Sequence, residues 1–125
     1  MVALYAIIVS VDPDLWANVR TALMADSRFI DAGDTLHCDG SAAPLTNIYP
    51  VEMTPSDWDA WDPDAVQMPD PRTMSALLFE CRSSAWVGEV GRLLAQALET
   101  PIWIVDSDDA IWPAGQVDPD RIRLD

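Results

Sequence analysis

Four aspartates spaced Asp57-x-Asp59-x-x-Asp62-x-Asp64, with Trp58 and Trp61 threaded among them, are the side chains of this sequence best suited to chemistry. A second group, Asp106-x-Asp108-Asp109, stands near the carboxy-terminal end. Carboxylates this close in sequence can gather around a hard cation, or they can pair with the lysines and arginines of another protein. The cation reading is the weaker one. Neither run has the central glycine and terminal glutamate of a calcium loop, and several of these aspartates are explained as helix caps and turn formers. No metal site is expected.

Catalysis has less to work with. The one histidine, His37, is adjacent to Cys38, and the other cysteine, Cys81, is far away in sequence. A cysteine nucleophile needs an oriented base within reach, and neighbours on a strand point to opposite faces, so His37 and Cys38 are badly placed to serve each other. His37 with Cys81 is sterically open but has nothing local to support it. There is no glycine-rich phosphate loop, GxSxG elbow or HExxH helix, and no zinc-ligand spacing. No catalytic residue and no cofactor is assigned, and binding is a better expectation than enzymatic activity.

Charge sets the class of partner. The chain of 125 residues carries 21 acidic against 7 basic side chains, a net charge of −14. Such a field repels nucleic acid and anionic membranes and speeds encounter with a basic protein. All seven basic residues are arginine, which reads as coding bias in a GC-rich bacterial genome. The first residues, MVALYAIIVSV, are apolar but lack a basic leader region and a cleavage site, and Asp12-Pro13 ends them short of a membrane span. A cytoplasmic protein with reduced, mostly buried thiols is expected.

The elements that must position these residues follow from periodicity. Residues 2 to 11 are apolar on both alternating faces and read as a strand buried on both sides. Asp12-Pro13-Asp14 then starts a helix to about Ala25, with Leu15, Val19, Ala22 and Leu23 as its buried stripe and Trp16 extending it. Two short strands are expected near Phe29 to Cys38 and Thr46 to Glu52, turning at Asp39-Gly40-Ser41. Met74 to Cys81 reads as another interior strand. Ser83 or Ser84 caps a second helix with Trp86, Val90, Leu93, Leu94, Ala97 and Leu98 on its apolar face. Gly88 and Gly91 within that helix are read as close-packing positions. Ile102 to Val105 and Ala110 to Trp112 form a hairpin around the turn Asp106 to Asp109, and Arg121 to Leu124 alternates like a short edge strand.

Two halves result, each strand, helix, strand, strand. They predict a single α+β domain over residues 1 to 125, with a mainly antiparallel sheet of the split β-α-β (ferredoxin-like) kind and two principal helices on one face. Between the halves lies an acidic insertion rich in tryptophan and proline, at about residues 52 to 72. There Thr54-Pro55-Ser56-Asp57 fits a capping box shortened to aspartate, and Asp62-Pro63 starts a second turn. Trp58 and Trp61, three apart, would share a face. They either pin a long connection onto the core, or stand exposed and ringed by carboxylates as anchors for a basic surface.

A small, strongly acidic, lysine-free α+β domain with aromatic and acidic loops resembles the immunity proteins of bacterial toxin systems, including contact-dependent growth inhibition. The resemblance lies in overall character and carries no family residue across. It implies a noncatalytic protein that binds its own toxin domain, often a basic nuclease, and blocks the active site or substrate groove. The first-choice contacts are Asp57, Trp58, Asp59, Trp61, Asp62 and Asp64, and the second patch is Asp106, Asp108 and Asp109. A small ligand-binding or regulatory domain is the second reading, and a metal-dependent hydrolase the third.

Overall fold

A computed structural model describes residues 4–125. Its strands are β1 (Tyr5–Ser10), β2 (Ile30–Asp31), β3 (Leu36–Cys38), β4 (Thr46–Val51), β5 (Ser75–Cys81), β6 (Trp103–Val105) and β7 (Ile111–Pro113), and its helices α1 (Leu15–Met24), α2 (Pro55–Trp58) and α3 (Ser84–Ala97). All seven strands join one sheet in the order β2-β3-β4-β5-β1-β6-β7, every neighbouring pair antiparallel. The fold class is α+β with an antiparallel sheet, as the periodicities predict.

The order explains itself from the middle outward. β1 pairs along its whole length with β5, from Tyr5 opposite Glu80 to Ser10 opposite Ser75. Because β5 is antiparallel to both β1 and β4, the unit β1-α1-β4 is split by β5; in the same way β5-α3-β6 is split by β1. Two interlocked split units put the longest strands at the centre and leave only short strands at the edges, which limits unwanted edge pairing.

α1 and α3 pack together on one face. Ala6, Ile8, Leu77, Phe79, Ile48 and Ile104 meet Leu15, Val19, Leu23, Trp86, Val87, Val90 and Leu94 there, and this is the main core. Ser83 caps α3 by accepting the Trp86 N–H at 3.2 Å. Trp86 stacks on Phe29 with centroids 5.7 Å apart, carries the Arg28 guanidinium 4.7 Å over its ring, and donates its indole N–H to the Thr46 hydroxyl at 2.9 Å. One aromatic side chain therefore ties α3 to β4 and to the connection after α1. Arg28 in turn is clamped by Asp26, whose carboxyl is held down at about 2, first of all by the hydrogen bond from the Arg28 side chain.

Several boundaries differ from the expectations. Val2 lies outside the described residues, and at the other end of the first strand Val11 is exposed beyond Ser10. Phe29 to Cys38 is a hairpin, β2 and β3, because Gly33 at φ +89° reverses the chain and the Ala32 N–H closes on the Thr35 carbonyl at 2.9 Å. Arg121 to Leu124 is no strand. Its alternation is real, since Ile122 and Leu124 are buried in the main core, but among the described residues its bond to the sheet is the Tyr5 N–H reaching the Leu124 carbonyl at 3.1 Å. Ala97 points to solvent. Asp12 does its capping one turn before the regular helix, accepting the Asp14 N–H at 2.8 Å and the Asn18 side-chain amide.

The two glycines of α3 part company. A Cβ on Gly91 would overlap the backbone carbonyl of Ala114, which follows β7 and has no rotamer by which to move aside, whereas a Cβ on Gly88 meets nothing nearer than 3.6 Å. Gly91→Ala should therefore destabilise the domain by about 3 kcal/mol through overpacking. Gly88→Ala should be neutral or gain up to about 1 kcal/mol of helix propensity. Urea unfolding of the pair checks this; equal midpoints for the two variants would refute the close contact at Gly91.

Candidate functional site

The acidic insertion does not hang free. It folds back over the second face of the sheet, where Val9, Ala76, Trp103 and Val105 form a smaller core with Trp61 and Met68. A helical turn and two 3₁₀ turns, Pro63–Val66 and Pro71–Thr73, give the segment its shape, each opening on a proline. The shortened capping box forms as predicted in its reciprocal arm: the Asp57 carboxylate reaches back to the Thr54 N–H at 2.6 Å. Asp70 likewise caps the last turn through the Arg72 N–H at 3.0 Å.

Within this insertion the two tryptophans have different fates. Trp61 is 6% exposed, sits in the smaller core, and donates its indole N–H to the Asp109 carboxylate at 3.2 Å. The expectation that it stands exposed as an anchor is corrected: the apolar second face of the sheet needs a cover, and Trp61 is that cover. Trp58 is half-buried, leaning on the smaller core while lining two open hollows. One, of about 440 Å³, lies toward Pro13 and Trp16 at the start of α1. The other, of about 590 Å³, is walled by Trp58, Pro55, Pro63 and Pro71 and rimmed by Asp59, Asp64 and Asp70.

The second predicted patch also divides. Asp106 is buried, and its carboxylate is filled by the chain itself: one oxygen accepts the Asp108 and Ala110 N–H groups at 3.0 Å each, the other the Trp112 indole at 3.1 Å and the Arg123 N–H at 3.2 Å. Its expected role as a surface contact is corrected; it builds the β6–β7 turn. Asp108 and Asp109 remain exposed on that turn, and Asp109 adopts a left-handed conformation at φ 62°. Through the Trp61–Asp109 bond and the packing of the Pro63–Val66 turn against β7, the two patches become neighbours. Asp57, Asp59, Asp62 and Asp64 are exposed as well. None of the ion pairs seen among the described residues involves these six carboxylates.

Arg72 is the cation of the larger hollow. It is held by Asp70, through bonds of 2.9 to 3.2 Å, which lowers the Asp70 carboxyl below the usual range, and it also feels the charge of Asp59. A site with an aromatic wall, proline edges and three carboxylates against one guanidinium can receive another cationic side chain: the ring face attracts it and the carboxylates hold its N–H groups. Proximity in sequence pointed to the aspartates, but the prolines, Met68 and the Asp70–Arg72 pair that complete the hollow carried no signal beyond their turn chemistry.

The cysteines are placed quite differently. Cys38 and Cys81 are free, buried, and stand on either side of Thr46, one strand apart. Burial pushes the Cys38 thiol up to about 11 and raises Cys81 too. His37 lies on the opposite side of its strand from Cys38, half-exposed, with Nδ1 3.0 Å from the Asn47 side chain. No group of three histidine, cysteine, aspartate or glutamate side chains among the described residues converges as metal ligands would. No helix among them is long and apolar enough to cross a membrane. Comparison with family models, with curated proteins and with solved structures gave no match.

Proposed function

We propose that this chain is a noncatalytic binding protein that neutralises a basic protein partner, in the manner of an immunity protein that blocks the active site or substrate groove of a bacterial toxin, a nuclease being the class that fits best. The observation that carries the reading is the hollow beside Trp58 with its carboxylate rim, tied through the Trp61–Asp109 bond to the turn that bears Asp108 and Asp109. Six exposed carboxylates beside one accessible tryptophan imitate the charge and the stacking surface that a nucleic acid offers to a basic groove. Asp57, Trp58, Asp59, Asp62, Asp64, Asp108 and Asp109 make the contacts; Trp61 and Asp106 act beneath them as supports. A net charge of −14 steers the encounter and makes it sensitive to salt.

The test is a calorimetric titration with the basic carboxy-terminal domain of a secreted toxin, to be sought in the gene next to this chain's. Trp58→Ala should weaken binding by about 2 kcal/mol, roughly thirtyfold, as a central aromatic contact does, with a much smaller loss of fold stability. Asp59→Asn should slow association at low salt and matter less at high salt. Unchanged affinity in Trp58→Ala would overturn the reading.

A further inference from the structure

We infer that the partner interface extends beyond the insertion onto the uncovered half of the sheet's second face, where an arginine or lysine side chain of the basic partner seats between β1, β5 and the segment that follows β4. The insertion covers chiefly the half of that face built from Val9, Ala76, Trp103 and Val105, with Ile7 and Val51 packed at its border. In the other half, Tyr5 opposite Glu80 opposite Asn47, and Ile7 opposite Leu78 opposite Tyr49, form two rows running across β1, β5 and β4. Every one of these side chains is half-exposed or exposed, Tyr5 at 38%. Antiparallel sheets can leave one face to water, and among the described residues no helix lies over these two rows, which the insertion reaches only at their border, where Ile7 packs against the smaller core.

A hollow of about 260 Å³ opens at the border between the covered and uncovered halves. Tyr5, Ile7 and Leu78 are on its floor side and Glu52, Asp57 and Glu80 supply three carboxylates, with no arginine in its lining. Glu80 also stands beside the Tyr49 phenol, whose pKa is raised by burial and by that neighbouring charge. Charge complementarity selects the occupant. A second copy of the chain would set like carboxylates against each other, and a nucleic acid would meet the same repulsion, whereas a guanidinium or ammonium would lay its stem on the aromatic floor and its charge among the carboxylates. Asp57 belongs both to this hollow and to the acidic run of the insertion, so a single basic surface can span the two.

This inference rests on the reading of a basic protein partner and adds a second surface to it. The test is amide and indole chemical-shift mapping with nona-arginine as the probe, at about 0.15 M salt, where interactions beyond about 8 Å are screened. The expected result is saturable shifts at Tyr5, Leu78 and Glu80 together with the Trp58 indole. Glu80→Gln, nearly the same shape, should weaken the peptide about fivefold, as should Tyr5→Ala, with thermal unfolding recorded for both variants. Shifts confined to Trp58 through Asp64 and Asp108, with both sheet variants binding like the parent, would overturn this inference and leave the proposed function standing. Absence of saturable shifts anywhere would overturn both.

Discussion

Trp61→Ala should cost the domain about 3 to 5 kcal/mol, the range for removing a buried tryptophan together with the cavity it leaves. Trp61 is 6% exposed and joins Val9, Met68, Ala76, Trp103 and Val105 in the core on the second face of the sheet. Met68 belongs to the insertion itself, but the other neighbours come from strands fixed by their own pairing, so they cannot close the gap. The insertion is held at few other buried points, and its turns offer little cooperative stability of their own, since short helices are marginal in water. Loss of Trp61 should thus release the segment and expose apolar sheet. In urea unfolding the midpoint should fall and the slope should fall as well, because the native state would already expose part of the surface that unfolding exposes. Trp61→Phe should recover much of the loss, giving up the bond to an exposed Asp109 carboxylate, worth about 1 kcal/mol, and the small volume by which an indole exceeds a phenyl ring. An unchanged midpoint in Trp61→Ala would mean that the insertion does not cover the sheet as described.

The contrast between Trp58 and Trp61 also shows what the sequence could and could not reveal. Helices α1 and α3, the interior strands β1, β4 and β5, and the β6–β7 hairpin were legible because each repeats a periodicity that burial enforces locally. The two strand-helix-strand patterns pointed to a split β-α-β sheet, but the strand order by which the two units interlock depends on long-range pairing that no local pattern holds. The acidic insertion was legible as a segment, and its Thr54–Asp57 cap as a local motif, since capping involves residues three apart. What no local pattern contains is the face against which a segment folds. Two tryptophans three apart in an irregular stretch look equivalent until the chain after Trp58 turns, with the Trp61 N–H bonding the Trp58 carbonyl at 3.0 Å, and presents one ring to Val9 and Trp103. Asp106, Asp108 and Asp109 looked alike for the same reason: which carboxylate turns inward depends on Trp112 and Arg123, up to 17 residues away. The uncovered half of the sheet was written in the sequence, as Asn47 and Tyr49 alternating with Thr46 and Ile48, and as Leu78 and Glu80 alternating with Leu77 and Phe79. Without the pairing register, those residues could not be placed in one surface.

Asp106→Ala should be the other severe substitution. The native carboxylate accepts four N–H groups, three from the backbone and one from an indole, in a site where Asp106 is 5% exposed. Alanine would leave all four donors to find water or go unpaired, at about 1 to 3 kcal/mol for each one that stays buried. Relaxation of the exposed turn limits the total to about 4 kcal/mol, still a large part of the 5 to 15 kcal/mol typical of a whole domain. The loss should spread to the carboxy-terminal segment, because the Arg123 N–H is anchored by Asp106 while Ser107 donates to the Arg123 carbonyl through its N–H at 2.9 Å and its hydroxyl at 3.0 Å. Beyond that clamp Ile122 and Leu124 fill the main core, so freeing the segment also uncovers apolar surface there. Asp106→Asn separates the two contributions. It keeps one carbonyl oxygen for two of the donors and sets an amide NH₂ against the other two, so about half the penalty should remain. Chemical unfolding gives the stabilities, and carboxypeptidase digestion reads the tail: it should be trimmed faster in Asp106→Ala than in Asp106→Asn, and slowest in the parent. If Asp106→Asn matches the parent in both measurements, the four-donor site is not what holds the turn and tail together, and Asp106 returns to the surface as a candidate contact beside Asp108 and Asp109.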